Sequence, residues 1–241
     1  MSSRRLLLIN KTSNIPPNNE IWYTSVDDNI VTPLQTYLDN VNIVSNIYEN
    51  GKGIITFDGD ITNIGAYAFE YCSSLNSIIF PNSVTTIEIN AFNQCISLIS
   101  FIGNNITNIK NQAFEHCISL TSINIPNIII IGDIAFNQCE SLISVIIGNN
   151  ATTIKNGAFW RCFSLIYVTI GSSVKRIENQ AFEDCSKLEY IKYNGYKKDW
   201  YKIRLGETWN KGIPCKKIQC LDGDVYLDEY TTIVGEFDDI E

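Results

Sequence analysis

The dipeptide Ala-Phe occurs at Ala68-Phe69, Ala91-Phe92, Ala113-Phe114, Ala135-Phe136, Ala158-Phe159 and Ala181-Phe182, in steps of 23, 22, 22, 23 and 23 residues. Three positions after each Phe stands a Cys (Cys72, Cys95, Cys117, Cys139, Cys162, Cys185), and three after that a Leu (Leu75, Leu98, Leu120, Leu142, Leu165, Leu188). Five positions before each Phe is an Ile: Ile64, Ile87, Ile109, Ile131, Ile154 or Ile177. Four columns held in register through six copies constrain the chain to a stack of like units. A unit this short cannot bury its own apolar face, so each copy must lie on the next and present like residues to like.

The copy at 106–127, ITNIKNQAFEHCISLTSINIPN, shows how one unit divides. Leu120 to Ile125 ends in alternating apolar and polar residues, the pattern of a half-buried strand. Pro126 and Asn127 then break it. Ala113, Phe114 and Cys117 stand at i, i+1 and i+4, which predicts one short helical or 3₁₀ turn pressed inward. Composition agrees: 40 Ile against 14 Leu favour pleated packing over helix, and 27 Asn favour turns. The expected fold is an α/β-type repeat solenoid, strand-dominated, with a parallel sheet and internal ladders of Phe, Ile, Leu and Cys.

Such a stack exposes apolar surface at its end coils unless both are capped. Residues 1–19 are expected to be a mobile N-terminal segment, with Ile15-Pro-Pro-Asn-Asn19 as a linker. Residues 20–60 are expected to form a small β N-cap, its hairpin turn at Glu49-Asn50-Gly51-Lys52-Gly53. The six repeats occupy 61–194, and 195–241 form a C-terminal cap and acidic tail, in which Tyr193, Tyr196, Trp200, Tyr201, Ile203 and Trp209 offer amphipathic cover. Residues 192–217 hold eight of the 18 basic residues and 221–241 eight acids without a base. This is read as a solvated end-piece whose halves offset each other.

Little in the chain promises chemistry. Six of the eight Cys lie 22–23 residues apart, without the Cys-x-x-Cys clustering of a zinc site. Their side chains point the same way on neighbouring coils, a poor geometry for a disulfide, so they are read as buried, reduced packing residues. Cys215 and Cys220 are the one pair spaced for a disulfide, with free thiols as the first reading. His116, the single histidine, falls in a variable and hence solvent-facing column, so it makes no nucleophile pair with Cys117. Asp222-Gly-Asp224 resembles the start of a calcium loop but lacks the Gly at position 6 and the Glu at position 12. No phosphate loop, dinucleotide fingerprint or nucleophile elbow appears. Asn10, Asn105 and Asn150 match the glycosylation acceptor pattern at the frequency an Asn-rich chain gives by chance. No catalytic residue, cofactor or metal is expected. The net charge of −8 argues against nucleic acid as partner. The apolar run Leu6–Ile9 is shorter than a signal-peptide core, and no stretch reaches the length of a membrane span.

The pattern Leu-x-x-Ile-x-Ile with Ala-Phe-x-x-Cys-x-Ser-Leu, over residues 61 to about 194, resembles the BspA-like (Treponema pallidum-type) leucine-rich-repeat family. The segment Tyr193-Asn-Gly-Tyr196-Lys-Lys-Asp-Trp200 onward resembles the tail that closes the solenoid in bacterial members. The resemblance implies a right-handed leucine-rich-repeat superhelix and a surface-exposed or secreted protein acting in adhesion and protein recognition. Alternation along Leu-x-x-Ile-x-Ile places a candidate ligand-binding face at Ser77, Ile79, Ser100, Ile102, Ser122, Asn124, Ser144, Ile146, Tyr167, Thr169, Tyr190 and Lys192. The seventh-position residues Pro81, Asn104, Pro126, Gly148, Gly171 and Asn194 are expected to project from it too. The expected function is non-enzymatic recognition of a protein or glycoprotein ligand by a monomer that does not insert into membranes. The alternative is a structural spacer or assembly component of a larger surface or particle-borne appendage.

Overall fold

The computed structural model describes residues 14–34 and 41–227. Three strands come first: β1 (Glu20–Ser25), β2 (Ile43–Glu49) and β3 (Lys52–Phe57). Each repeat then contributes a two-residue strand and a longer one. These are β4 (Asn63–Ile64) and β5 (Leu75–Ile79), β6 (Thr86–Ile87) and β7 (Ser100–Ile102), β8 (Asn108–Ile109) and β9 (Ser122–Ile125). The series continues with β10 (Ile130–Ile131) and β11 (Ser144–Ile147), β12 (Thr153–Ile154) and β13 (Tyr167–Ile170), β14 (Arg176–Ile177) and β15 (Tyr190–Tyr193). The chain closes with α1 (Lys197–Trp200), β16 (Arg204–Leu205), β17 (Lys217–Cys220) and β18 (Gly223–Tyr226).

The short strands make one parallel sheet of seven, from β4 to β16, and the long strands line the other side. Register is residue on like residue: Ile131 on Ile109 and Ile154, Val145 on Ile123 and Val168. Between the sheets the six repeat Phe rings, all buried, stack at centroid spacings of 5.1–5.3 Å and within 8° of parallel. That spacing is set by the strand separation, so the ladder is a consequence of the period.

The Ala-Phe segment turns inward, yet no helix forms there. Two residues per repeat sit at left-handed φ, among them Gln112 (59°) and His116 (57°). Non-Gly residues resist this region at roughly 1–2 kcal/mol each, and the hydrogen bonding shows what offsets it. The N–H groups of Ala113, Glu115 and Cys117 donate to carbonyls three residues back, as in a 3₁₀ turn. Those of Gln112, Phe114 and His116 donate instead to Asp133, Ala135 and Asn137 on the next coil, at 2.8–2.9 Å. Alternate amides therefore serve the turn and the stack, a division that a continuous helix does not permit.

Both ends are closed by non-repeat elements. β1 pairs antiparallel with β5, β3 with β1 and β2 with β3. Asn50 and Gly51, both at positive φ, make the two-residue turn between β2 and β3. The Leu34 N–H donates to the Ala68 carbonyl, doing for the first coil what a preceding Phe does for the others. Residues 17–19, expected within a linker, are instead tied down: the Pro17, Asn18 and Asn19 carbonyls accept from Glu20, Ile61 and Phe57. Residues 1–13 of the expected mobile segment and residues 228–241 at the end of the acidic tail lie outside the described residues. At the other end, residues 195–218 form a further coil. The Phe182 and Asp184 N–H groups donate to Trp209 and Lys211, and Trp209 sets its ring edge-on against Phe182.

Candidate functional site

The exposed face of the long-strand sheet carries two rows. In one, Ser77 pairs with Ser100, Ser144 stands between Ser122 and Tyr167, and Tyr167 pairs with Tyr190. In the other, Ile79 pairs with Ile102, Ile146 stands between Asn124 and Thr169, and Thr169 pairs with Lys192. Ile102, Ser122, Asn124, Ile146, Tyr167 and Tyr190 are exposed; Ser77, Ile79, Ser100, Ser144 and Lys192 are half-buried. Thr169 keeps only 9% of its surface, so it belongs to the floor of the face. The seventh positions divide: Asn104 and Pro126 are exposed as expected, and Gly148 and Asn194 are half-buried. Pro81 and Gly171 are buried, and a Cβ at Gly148 or Gly171 would fall on a carbonyl of the preceding coil, at 1.8 and 2.1 Å. There the coils touch backbone to backbone, and only Gly fits.

Alternation in the repeats alone does not reveal how far the face extends. β1 joins the sheet in a register that sets Trp22 opposite Ile79 and Thr24 opposite Ser77, with Ile54 of β3 opposite Trp22. Thr24 and Ser77 hydroxyls are 2.7 Å apart, and the Lys52 ammonium lies 3.3 Å above the Trp22 ring. At the far end β17 and β18 add Lys217, which pairs with Tyr226 in the row of Tyr190. A third row stands at the corner where each turn enters the sheet. It includes Ile99, Ile143 and Ile166, exposed by 45%, 51% and 38%, bonded coil to coil through Asn76, Thr121 and Glu189. The small residues Thr24, Ser77, Ser100, Ser122 and Ser144 thus form a trough between rows carrying Ile79, Ile102 and Ile146 on one side and Ile99 and Ile143 on the other, broken at Asn124 and Thr121 and ended by Tyr167 and Tyr190. The signal for the third row was present as exposed Ile directly after the repeat Leu; the cap strands give no comparable signal, because register is a tertiary property.

The cysteine column is sealed. The thiols of Cys95, Cys117, Cys139, Cys162 and Cys185 each donate to the carbonyl of the preceding repeat's Phe, at 3.0–3.3 Å. Burial pushes the Cys117, Cys139 and Cys162 thiols well above their ordinary range and Cys72 up to about 11. A protonated, buried thiol is no nucleophile. Cys215 and Cys220 are also free, the Cys215 thiol donating to the Lys217 carbonyl at 3.1 Å. His116 lies 3.8 Å from the Glu115 carboxylate, while the neighbouring Cys117 thiol donates to the Phe92 carbonyl. Asp222 accepts from the Lys197 N–H at 2.8 Å and Asp224 pairs with Lys217, so the calcium-like loop is occupied in joining cap elements. Among the described residues no group of three or more His, Cys, Asp or Glu is placed to hold a metal ion, and no helix is long and apolar enough to cross a membrane.

Comparison with known proteins agrees with this geometry. A family described as the BspA type leucine rich repeat region matches in six copies, over residues 41–131 and 62–189. A Treponema pallidum leucine-rich-repeat protein is 29% identical, with TM-score 0.55 over 62% of this chain and 69% of its own. A leucine-rich-repeat protein from Eubacterium ventriosum is 18% identical, with TM-score 0.55 over 68% of this chain; this chain spans 50% of its length. One from Bacteroides ovatus is 23% identical with TM-score 0.47, and 48% of it is spanned. The sequence matches none of the curated proteins compared with it.

Proposed function

The chain belongs to the BspA-type leucine-rich-repeat family, and from that premise we propose that it is a non-enzymatic adhesion or recognition module holding a protein ligand on the exposed face of its long-strand sheet. The observation that carries this reading is the trough described above. A floor of small hydroxyl side chains between aliphatic ridges, with Trp22 at one end and Tyr167 and Tyr190 at the other, joins shape with the residue types enriched in binding hot spots. The sealed thiols of the repeat column support recognition over thiol catalysis. Closed caps at both ends weigh against a spacer that propagates by end-to-end stacking.

Ligand capture from an extract of cell-surface proteins, followed by affinity measurement with the identified ligand, tests the proposal. The Tyr167→Ala, Tyr190→Ala double variant is expected to weaken binding by tenfold or more, about 1.4 kcal/mol or above. Undiminished binding by a folded double variant and by Ile102→Ser would remove the face as the site.

A further inference from the structure

We propose that the C-terminal end of the long-strand face is a glycan subsite for a sugar that carries a carboxylate, a uronic or a sialic acid. The face changes character along the stack. The exposed Ile residues of the trough rows end at Ile146 and Ile166. Beyond them one row reads Tyr167, Tyr190, Lys217 and Tyr226 in strand register, and the row beside it reads Lys192, Gln219 and Asp224. The three Tyr are exposed by 37%, 57% and 68%. Among the described residues, none of their rings stacks on another and none of their hydroxyl groups is hydrogen-bonded.

Aromatic rings alternating with hydrogen-bonding side chains suit a pyranose, which has C–H faces and a rim of hydroxyl groups. The negative face of an aromatic ring attracts the C–H groups, and the Gln219 amide offers a hydroxyl both a donor and an acceptor. Strands about 4.8 Å apart set Tyr190 one step from Tyr167 and Tyr226 two steps further, close to the rise of successive units in an extended saccharide. Charge selects the acid. Lys217 is paired with Asp224, whereas Lys192 has no ion pair among the described residues. Lys192 is half-buried and lies two residues from Tyr190 on the same side of β15. The nearest acid along the strand, Glu189, lies on the far side of Tyr190. A sugar stacked at Tyr190 can therefore set its carboxylate at Lys192, whose stem is positioned by packing. On a chain of net charge −8, residues 192–217 hold eight of the 18 basic residues, so this is the end that draws an acid. The subsite goes beyond the protein ligand proposed above and does not depend on it, although both use Tyr167 and Tyr190.

The test is chemical-shift titration of the full chain with 3′-sialyllactose and with a hyaluronan hexasaccharide, which carries glucuronate, at constant ionic strength. Lactose and cellohexaose serve as neutral counterparts and acetate as a carboxylate without a sugar. The expected result is a saturable shift of the Tyr190, Lys192 and Gln219 signals by at least one acidic saccharide, at least tenfold tighter than its neutral counterpart. The saccharide that binds tells a sialic from a uronic acid. Lys192→Gln, which keeps the stem, should remove that preference, and Tyr190→Ala should weaken binding at least tenfold. Lys155→Gln, on the opposite sheet, should leave it unchanged. The probes contain no protein, so their result is separate from that for a protein ligand. Binding that acetate reproduces, that neutral saccharides equal, or that persists in both Lys192→Gln and Tyr190→Ala overturns the subsite, as does the absence of saturable binding by either acidic saccharide.

Discussion

At the scale of single residues, the repeat columns divide by what each atom must do. Phe136 is fully buried between Phe114 and Phe159. Phe136→Ala should lower stability by about 3–5 kcal/mol. Lys155→Ala removes one exposed pair with Asp133 at 3.9 Å and should cost less than about 1 kcal/mol. Denaturant titration of the two variants checks the contrast, and equal midpoints would refute the ladder. The Cys column makes a different demand, since a Phe carbonyl needs its S–H donor and the thiol must stay protonated. A group whose folded pKa is raised contributes stability that is full below the unfolded value near 9 and falls as pH rises towards the folded value. Stability should therefore decline above pH 9 as the unfolded chain releases the thiol protons of Cys95, Cys117, Cys139 and Cys162, by up to about 1.4 kcal/mol per pH unit for each. Cys139→Ser keeps a donor without titrating there, so its stability against pH should run shallower than the parent's between pH 9 and 10.5. Parallel curves would show that other groups carry the decline.

At the scale of elements, the repeats were legible in the sequence, while the way the end elements dock against them was not. Phe, Ile, Leu and Cys recur because each coil repeats the last, so one unit specified all six. The turn between Ala and Cys was legible as a turn but not as a non-helical one. Its left-handed residues (Asn, Gln, Tyr, His and Ile among them) follow no residue-type rule and are held by their N–H groups donating to carbonyls of the next coil, which spacing cannot show. The trough was half legible: Ser and Ile at the third and fifth positions mark it. Trp22 and Thr24 join it only through the antiparallel docking of β1, a pairing between segments about fifty residues apart. The C-terminal cap shows the same limit, for Trp209 completes the Phe stack without lying in the Ala-Phe period. Trp209, 2% exposed, is expected to cost about 3–5 kcal/mol as Trp209→Ala. The loss should fray the last coil, so the Phe182 and Asp184 amides, which donate to the cap, should lose hydrogen-exchange protection before those of Phe114 and His116. Uniform loss across the repeats would instead indicate that the cap stabilises the solenoid as a whole.

At the scale of the whole molecule, a solenoid is stabilised by the sum of its coil interfaces, so its weakest interface decides whether it unfolds as one body or two. The long-strand ladder is interrupted once, between β7 and β9, where β1–β3, β5 and β7 form one sheet and β9 to β18 another. The cause is local: Gly103 stands where other repeats place Phe80, Ile125, Ile147 or Ile170, and a Cβ there would meet Ile106 at 2.7 Å and Phe80 at 3.0 Å. Phe101 compensates by stacking on Phe114 at 4.7 Å. What crosses the gap remains large. The Asn90, Phe92 and Gln94 amides donate to the next coil, as do Lys110 and Thr121 to the previous one. The Cys117 thiol bridges to Phe92, and the Phe92 and Phe114 rings stay 5.1 Å apart. At roughly 1 kcal/mol per hydrogen bond, with a stacked pair adding about as much, this interface loses only a minority of its coupling. The expected outcome is a single transition, with fluorescence of Trp22 in the N-terminal cap and of the three other Trp (followed in Trp22→Phe) coinciding under denaturant. Before that transition, the Ile123 and Ile125 amides should exchange faster than those of Val145 and Val168, whose ladders are intact on both sides. Separate midpoints for the two fluorescence probes would mean that the gap divides the solenoid into two folding units. The trough would then cross a joint between them.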